Sequence, residues 1–374
     1  MGKIGFYCSS TGWGGLEMNF IRYAKWFSER NHDVIVYCVQ NTPFADKIKD
    51  SDLEVSYVRK NKKYYDIINA FRVHDKIKQD GVKVIWIRDT RDISLIGLVK
   101  TISGNKIKII YHQAMQMGTS KRDLLHTIRY SKLDAWITLL PFLAAQIKKR
   151  TRFREDRIHI IPEAINLKQG LTNHSKVDAR KALDIPEDKF IIGVLGRIDP
   201  HKGQLFLIEA LAKLRNKNKN IELLIVGEST RDDKVDYQAV IENRIVELNF
   251  GEFVHIRPFM DDVEVFYQAI DLFAMVSKNE TFGMVTIEAM IHGVPVIGTN
   301  ASGTPEILDN GNLGSLYEVG DVTDFCDKVK WILNNPKTIS ERTLRAQNEA
   351  KLKYNHKTVC DQIEVILSNL SHNK

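Results

Sequence analysis

Short β-branched runs alternate with longer amphipathic stretches along this 374-residue chain, and the whole pattern occurs twice. The first series of predicted strands comprises residues 4–8, 34–39, 53–58, 82–87, 107–111 and 135–140. The second series comprises residues 190–195, 221–226, 253–256, 272–276 and 294–298. Strands that are apolar on both faces and alternate with helices indicate parallel sheets covered on two sides. The fold class predicted is therefore α/β.

Two domains are expected from this repeated pattern and from the chain length. A polar, glycine-containing stretch at residues 167–175 separates the two series and is predicted to be the linker. We predict doubly wound, Rossmann-like domains at residues 1–168 and 169–355. Open α/β sheets bind ligands beyond the carboxyl ends of their strands, so we expect a ligand cleft between the domains.

Charge is divided unevenly between the two halves. Residues 1–174 hold 30 Lys and Arg against 17 Asp and Glu, whereas residues 175–374 hold 24 against 30. Such asymmetry suggests that the first half meets an anionic partner, which could be nucleic acid, an acidic membrane surface or a phosphorylated substrate. No zinc-finger, RNP or basic-zipper signature accompanies the basic residues, so nucleic acid is not expected. A lysine-rich composition without a special partner is the alternative explanation.

The cellular compartment is predicted from what the chain lacks. No segment reaches the roughly 18 apolar residues of a membrane-spanning helix, and the apolar run at residues 4–8 is too short for a signal peptide. The four cysteines form no Cys-x-x-Cys pair, which makes zinc unexpected and favours reduced thiols in the cytoplasm.

A glycine-rich turn at residues 11–17 follows the first predicted strand. Gly14 and Gly15 would allow backbone N–H groups to approach a phosphate at a helix N-terminus. The turn is neither a Gly-x-Gly-x-x-Gly fingerprint, because Glu17 occupies the third glycine position, nor a Walker loop. A tight strand-to-helix connection explains these glycines about as well as a ligand does.

The second half contains two segments with candidate chemistry. Arg197 and Lys202 lie in the loop after the strand at 190–195, where a guanidinium and an ammonium suit a diphosphate. Glu280 precedes a helix that Gly283 opens, and Glu288 lies one to two turns inside it. That separation, at about 1.5 Å per helical residue, suits a ligand with hydroxyls at both ends and an anionic middle. The N–H groups predicted to face this middle belong to Phe282, Gly283, Met284 and Val285. A solvated loop and two surface acids are the alternative.

These motifs together resemble a known family. The Glu280–Glu288 pair forms a Glu-x7-Glu motif, and it accompanies the Gly-Arg…Lys-Gly loop at 196–203, the Gly-Val-Pro-Val-Ile segment at 293–297 and the Ser-Gly-Thr-Pro-Glu segment at 302–306. In this order they resemble the retaining glycosyltransferases of family 4, which have the two-domain GT-B fold. The resemblance runs nearly end to end and implies that a C-terminal helix, residues 356–374, packs back on the first domain.

The resemblance also implies roles for individual residues. Arg197 and Lys202 would stabilise the nucleotide diphosphate as leaving group, Glu280 would hold the donor hexose and Glu288 the ribose. His112 would lie beside the anomeric carbon and so complete the catalytic set. Further donor contacts are implied for Gly14, Gly15, Gly227, Arg257, Phe259, Phe282, Gly283, Met284 and Val285. Because none of the motifs in the second half of the chain contains an Asp-x-Asp triplet, we expect no metal and no cofactor besides the nucleotide-sugar donor.

The function that this resemblance implies is transfer of a hexose, from a UDP-sugar in preference to other donors, to a saccharide hydroxyl with retention at the anomeric carbon. The acceptor would be a saccharide or lipid-linked saccharide of bacterial surface polysaccharide or lipopolysaccharide. The basic first half would face the anionic inner surface of the plasma membrane, as in enzymes that build lipopolysaccharide cores.

Three other functions remain open at this stage. A nicotinamide-dependent dehydrogenase would share the paired α/β domains, but neither half supplies its glycine fingerprint with an acid about 20 residues on. A nucleotide-sugar epimerase or a non-catalytic nucleotide-sugar-binding protein could use the same GT-B fold. A screen for nucleoside diphosphate release and for nicotinamide reduction would separate transfer from dehydrogenation.

Overall fold

The computed structural model describes residues 2–62, 64, 66–167, 174–229 and 236–372. The strands are β1 (Lys3–Cys8), β2 (Val34–Val39), β3 (Glu54–Val58), β4 (Val82–Ile87), β5 (Lys108–His112), β6 (Ala135–Thr138), β7 (Ile158–Ile160), β8 (Phe190–Leu195), β9 (Ile221–Val226), β10 (Val254–Arg257), β11 (Leu272–Met275), β12 (Val296–Thr299) and β13 (Ser315–Tyr317). All the strand pairs are parallel, as β-branched strands alternating with helices predict.

Helices connect these strands on both sheets. They are α1 (Gly15–Glu29), α2 (Pro43–Lys49), α3 (Ile67–Gln79), α4 (Asp92–Ile102), α5 (Leu124–Ser131), α6 (Pro141–Arg150), α7 (Lys176–Ala182), α8 (Gln204–Arg215), α9 (Tyr237–Glu247), α10 (Val263–Ala269), α11 (Met284–Ile291), α12 (Thr304–Ile307), α13 (Val322–Asn334), α14 (Pro336–Lys353) and α15 (His356–His372). Two short 3₁₀ helices span Glu155–Arg157 and Asp309–Gly311.

The chain forms two compact units, which confirms the predicted α/β class. Unit 1 comprises Met1–Pro162 and His356–Lys374, and unit 2 comprises Glu163–Asn355. The chain thus passes between units at Pro162, six residues before the predicted boundary, and returns at His356. Residues 168–173 of the predicted linker lie outside the described residues.

Unit 1 is built on a seven-stranded sheet in the order β3-β2-β1-β4-β5-β6-β7. Its apolar side chains fill a core that includes Tyr7, Tyr111 and Trp136. The C-terminal helix α15 belongs to this unit. The guanidinium of Arg30, the C-cap residue of α1, donates 2.7 Å hydrogen bonds to both carboxylate oxygens of Glu364 on α15.

Unit 2 repeats the arrangement with six strands in the order β10-β9-β8-β11-β12-β13. The first strand of each unit, β1 or β8, therefore lies in the interior of its sheet. The fourth strand of the unit, β4 or β11, pairs with it. The carboxyl ends of these two central strands meet at one edge of each sheet, which is where parallel α/β sheets place ligand-binding loops.

Two sequence expectations about strands need correction. The strand predicted at 135–140 ends at Thr138, because Pro141 opens α6 and Leu140 already occupies its N-cap position. The three-residue strands β7 and β13 were not expected, since such short segments carry no readable alternation.

Candidate active site

The loop between β8 and α8 in unit 2 is shaped by Asp199. Its carboxylate accepts a 2.8 Å hydrogen bond from Arg197 Nη2 and a 2.7 Å bond from the backbone N–H of His201. The backbone carbonyl of Asp199 also accepts from the N–H of Lys202 at 2.9 Å. Asp199, which sequence reasoning did not select, therefore stabilises the loop and orients the Arg197 guanidinium through one of its N–H groups.

An ion pair connects this loop to the one that follows β11. Lys202 Nζ lies 2.8 Å from Glu280 Oε2, with both side chains partly accessible to solvent. The backbone reinforces the contact, because the N–H of Lys278 donates to the carbonyl of His201 at 3.1 Å. Two residues that lie 78 positions apart in sequence are thus brought together at the carboxyl ends of the adjacent strands β8 and β11.

Glycines allow these loops to approach closely. Gly203 has φ +81°, and a Cβ atom there would lie 2.4 Å from the carbonyl oxygen of Val276. Gly283 has φ +75° and caps α11 in the left-handed conformation that favours glycine. A larger residue at Gly203 would both clash with Val276 and strain the backbone, whereas at Gly283 the cost would be backbone strain.

The N-terminus of α11 offers backbone donors beside the ion pair. Within the described part of the chain, the N–H groups of Phe282, Gly283, Met284 and Val285 have no hydrogen-bond acceptor. Unsatisfied donors and the helix dipole both favour an anion at such an end. The Phe282 side chain itself is buried and packs edge-on against Tyr354, so only its backbone faces the site.

A small recess, with a free volume of about 20 Å³, lies beside Lys202 and Glu280. Its lining includes Gln204 and Val285, and Gln204 is fully buried. The Gln204 side chain donates a 2.9 Å hydrogen bond to the carbonyl of Arg197 and so stabilises the loop between β8 and α8. The sequence signal for Gln204 is its place as the first residue of α8, directly after Gly203.

Glu288 lies one turn into α11, as the sequence predicts. Its Oε2 atom accepts a hydrogen bond of 2.9 Å from the hydroxyl of Tyr267 on α10. Burial and the neighbouring carboxylate raise the pKa of Tyr267 well above its ordinary value, so this phenol remains a donor. Tyr267 orients Glu288 but was not selected from the sequence, because only the packing of α10 on α11 brings it there.

Three further donor-contact candidates of unit 2 lie near the carboxyl ends of β9 and β10: Gly227 follows β9, Arg257 is the last residue of β10 and Phe259 lies in the loop after it. Gly227 is forced to be glycine, since a Cβ atom there would lie 2.0 Å from the carbonyl oxygen of Gly196. The guanidinium of Arg257 donates to the carbonyls of Leu183 and Asp184, each at 2.7 Å, so it anchors the end of α7. Phe259 is exposed. Their contacts with a donor stay predictions.

In unit 1 the glycine turn leads into α1. Gly14 occupies the N-cap position without a side-chain cap, and the space around a Cβ atom at Gly15 is open to 4 Å. Neither glycine has a left-handed backbone, so these positions leave room for a ligand rather than relieve strain.

A buried acid ties down the start of this turn. Asp92, the first residue of α4, accepts hydrogen bonds from the Ser9 hydroxyl, from the Ser9 N–H at 3.3 Å and from the Asn61 amide at 2.6 Å. Burial raises the pKa of Asp92 to about 7. Sequence reasoning did not select this cluster, although its acid lies five residues after the end of β4, at the sheet edge where ligand-binding loops are found.

His112 ends β5 and is fully buried. Its ring packs against Trp86 and edge-on to Tyr23, with centroid distances of 5.8 and 5.4 Å. Neither ring nitrogen has a hydrogen-bond partner within the described residues. Burial and the nearby Arg88 lower the pKa of His112 well below its ordinary value, so the imidazole is neutral.

Three further features of the described residues concern metal binding, membrane insertion and the cysteines. The described ranges contain no group of three His, Cys, Asp or Glu side chains placed to hold a metal ion. Across those same ranges, no helix combines the length and apolar character needed to cross a bilayer. The four cysteines are buried free thiols.

Known proteins with the same features are glycosyltransferases. The model of "Glycosyltransferase Family 4" matches residues 13–169, and that of "Glycosyl transferases group 1" matches residues 175–353. Between them the matches cover every predicted strand except the first, at residues 4–8, and every motif from Gly14 to Glu306. The chain belongs to the family 4 glycosyltransferases and has their GT-B fold, which confirms the resemblance seen in the sequence.

Particular relatives support this assignment. The chain is 25% identical to a lipopolysaccharide 1,2-N-acetylglucosaminetransferase of Salmonella typhimurium over 89% of each chain. It is 27% identical to the Staphylococcus aureus capsular polysaccharide biosynthesis glycosyltransferase CapM, over 47% of this chain and 45% of that protein. Against this and another of the best-matching curated relatives, the match therefore spans only about half of their length.

A solved structure extends the likeness to the whole chain. Anabaena HepE in complex with UDP superposes with a TM-score of 0.86 at 20% identity, covering 98% of this chain and 100% of that one. This agreement concerns the fold.

Proposed function

We propose that the protein is a retaining hexosyltransferase that takes its sugar from a nucleotide diphosphate donor, with UDP-sugars preferred, and passes it to a saccharide hydroxyl. The observation that carries the proposal is the Lys202–Glu280 pair, with Arg197 in the same loop and the open N-terminus of α11 beside it. Cations, free N–H groups and an acid acceptor are what a diphosphate joined to a hexose requires.

The ion pair has a specific consequence for donor binding. Without ligand, Lys202 and Glu280 satisfy each other's charge at 2.8 Å. When the donor enters, Lys202 turns to a phosphate oxygen and Glu280 is released to accept hydrogen bonds from the hexose hydroxyls. Arg197 adds a second cation, while Glu288, oriented by Tyr267, accepts from the ribose.

Retention in the proposed reaction needs no protein nucleophile. The bond from the anomeric carbon to the phosphate oxygen breaks, and the acceptor oxygen forms its bond to that carbon on the same face. The acceptor proton passes to the departing diphosphate. Arg197, Lys202 and the N–H groups of Met284 and Val285 stabilise the charge that develops on this leaving group, which is how preorganised donors accelerate a reaction. We propose that this set replaces a metal ion.

The acceptor is proposed to be a saccharide or lipid-linked saccharide of surface polysaccharide or lipopolysaccharide, at the cytoplasmic face of the membrane. Relatives named for capsular polysaccharide and lipopolysaccharide synthesis support this choice. A neighbour in complex with UDP supports uridine. The neutral, buried His112 is proposed to lie beside the anomeric carbon, and Gly14 and Gly15 are proposed as donor contacts.

A thermal-shift panel of nucleoside diphosphates and their sugar conjugates tests the donor. We expect one UDP-sugar to raise the melting temperature, and slow release of UDP from that sugar in the absence of acceptor. Proton NMR of the glycoside formed with a saccharide acceptor then reports its anomeric configuration. Stabilisation by a nicotinamide cofactor instead, or a product of inverted configuration, would contradict the proposal.

A further inference from the structure

Helix α3 of unit 1 exposes apolar side chains at its start. Ile67, Ile68 and Phe71 are 56%, 69% and 53% exposed, while Val73 and Ile77 of the same helix are buried in the core. A helix in a water-soluble domain normally directs its large apolar residues inward. The exposed group therefore calls for an explanation other than the packing of unit 1.

Helix α5, which contacts the segment just before α3, also exposes apolar side chains. Leu124 and Ile128 on α5 are exposed, and Ile128 lines an apolar pocket together with Tyr64, which lies just before α3. The Arg129 guanidinium lies over the Tyr64 ring at 5.4 Å, which fixes the start of α3 beside α5. Adjacent apolar groups of this kind mark interaction surfaces.

Basic residues are frequent in the two segments of sequence that carry these apolar groups. Residues 59–76 contain six Lys and Arg against two Asp and Glu, and residues 119–132 contain four against one. Of the acids, Asp123 accepts from His126 and Asp75 from His74, so each already has a cationic or polar neighbour. Much of the positive excess of the first half is thus concentrated in the two segments that carry the exposed apolar residues.

We propose that α3 and α5, with Ile67, Ile68, Phe71, Leu124 and Ile128, form the surface by which unit 1 binds an anionic phospholipid bilayer. The apolar side chains enter the boundary of the acyl chains and the surrounding Lys and Arg contact anionic headgroups. Apolar residues alone, or charge alone, give weak reversible binding, and the combination gives stable attachment. Nucleic acid offers no apolar phase for isoleucine and leucine.

This inference deepens the proposed function, since it identifies the residues that would bring unit 1 to a membrane-borne acceptor. It does not depend on transfer chemistry, because vesicle binding requires no donor.

The experiment is sedimentation of the full chain with vesicles of phosphatidylcholine, with and without phosphatidylglycerol, at low and physiological salt. The test variant is Ile68→Glu with Leu124→Glu. Its matched control is Val246→Glu with Leu352→Glu, which alters two equally exposed apolar residues of unit 2 and changes the net charge by the same amount. We expect the wild type and the control to bind anionic vesicles. The test variant should bind them at least about tenfold more weakly.

Three results would overturn the proposal. The wild type could fail to sediment with anionic vesicles, or both double variants could lose binding equally, which would indicate general electrostatic attraction. Analytical ultracentrifugation could show a wild-type dimer that the test variant abolishes, which would assign the surface to a protein contact. UDP release in the absence of vesicles is measured in parallel. If it is absent while specific vesicle binding persists, the proposed function fails and the membrane surface stands.

Discussion

In unit 1 the loop after the first strand is tied to the helix after the fourth strand by Ser9 and Asp92, whereas in unit 2 the equivalent loops are joined by Lys202 and Glu280. Asp92 is fully buried, while Lys202 and Glu280 keep 34% and 19% of their side-chain exposure. One scaffold therefore carries a structural polar cluster in one unit and an accessible ion pair in the other. The two units therefore place polar groups at the same edge of the sheet because their strand order is the same. The solvent exposure and charge of those groups differ, and these determine whether the groups can bind a ligand.

The largest effect is expected from breaking the accessible pair. Lys202→Ala should lower kcat/KM by about 10²–10³-fold, because a preorganised cation no longer meets the leaving diphosphate. Lys337→Ala, at an exposed lysine on α14, is the control and should leave turnover unchanged. Steady-state assays with the preferred UDP-sugar measure both. Indistinguishable rates for the two variants would remove Lys202 from the site.

Alanine substitutions of glycine should affect the unfolding free energy differently in the two units. Gly203→Ala should cost about 3 kcal/mol of unfolding free energy, because the added Cβ meets the Val276 carbonyl and the backbone is left-handed. Gly15→Ala should change stability by less than about 0.5 kcal/mol, since its surroundings are open.

If Gly15 leaves room for the donor, Gly15→Ala should reduce transfer while the melting temperature stays unchanged. Denaturant unfolding and the transfer assay test these statements together. Equal destabilisation by the two substitutions would contradict the structural reason given for Gly203.

The smallest effect concerns the buried cluster of unit 1. The pKa of Asp92 is raised from 3.8 to about 7, so the folded state binds the proton more tightly than the unfolded chain. Its contribution to stability is therefore fully present below pH 3.8 and is lost as the pH rises through about 7.

As the pH rises from about 5 to about 7, the wild type should therefore lose on the order of 2 kcal/mol of unfolding free energy relative to Asp92→Asn. Asp75→Asn, at an exposed acid, is the control. Melting temperatures across this range measure the trend, and a difference independent of pH would show that Asp92 is ionised throughout.

Much of the fold follows from the sequence, because strands buried on both faces leave a plain signature. The strands at 34–39, 82–87, 190–195 and 221–226 begin and end where they were predicted. Strand ends depend on local signals that compete with hydrophobicity, as Pro141 shows by beginning a helix inside the apolar run after β6.

The site was predictable only in part. Arg197, Lys202, Glu280 and Glu288 stand at recognisable spacings, and glycine turns locate them at strand ends. The hydrogen bonds that Arg197 donates to Asp199 and that Tyr267 donates to Glu288 arise from loop and helix packing, which residue spacing alone does not predict. The full burial of His112 likewise follows from Trp86 and Tyr23, whose positions against it require the assembled sheet.

Isothermal titration of UDP and of UDP-glucose into wild type, Lys202→Ala and Glu280→Ala tests the central claim, that the Lys202–Glu280 site binds a nucleotide diphosphate sugar. The account predicts that Lys202→Ala weakens both ligands, and that Glu280→Ala weakens the intact sugar nucleotide more than UDP. Equal loss of both ligands in Glu280→Ala, or unchanged affinity in Lys202→Ala, would contradict it.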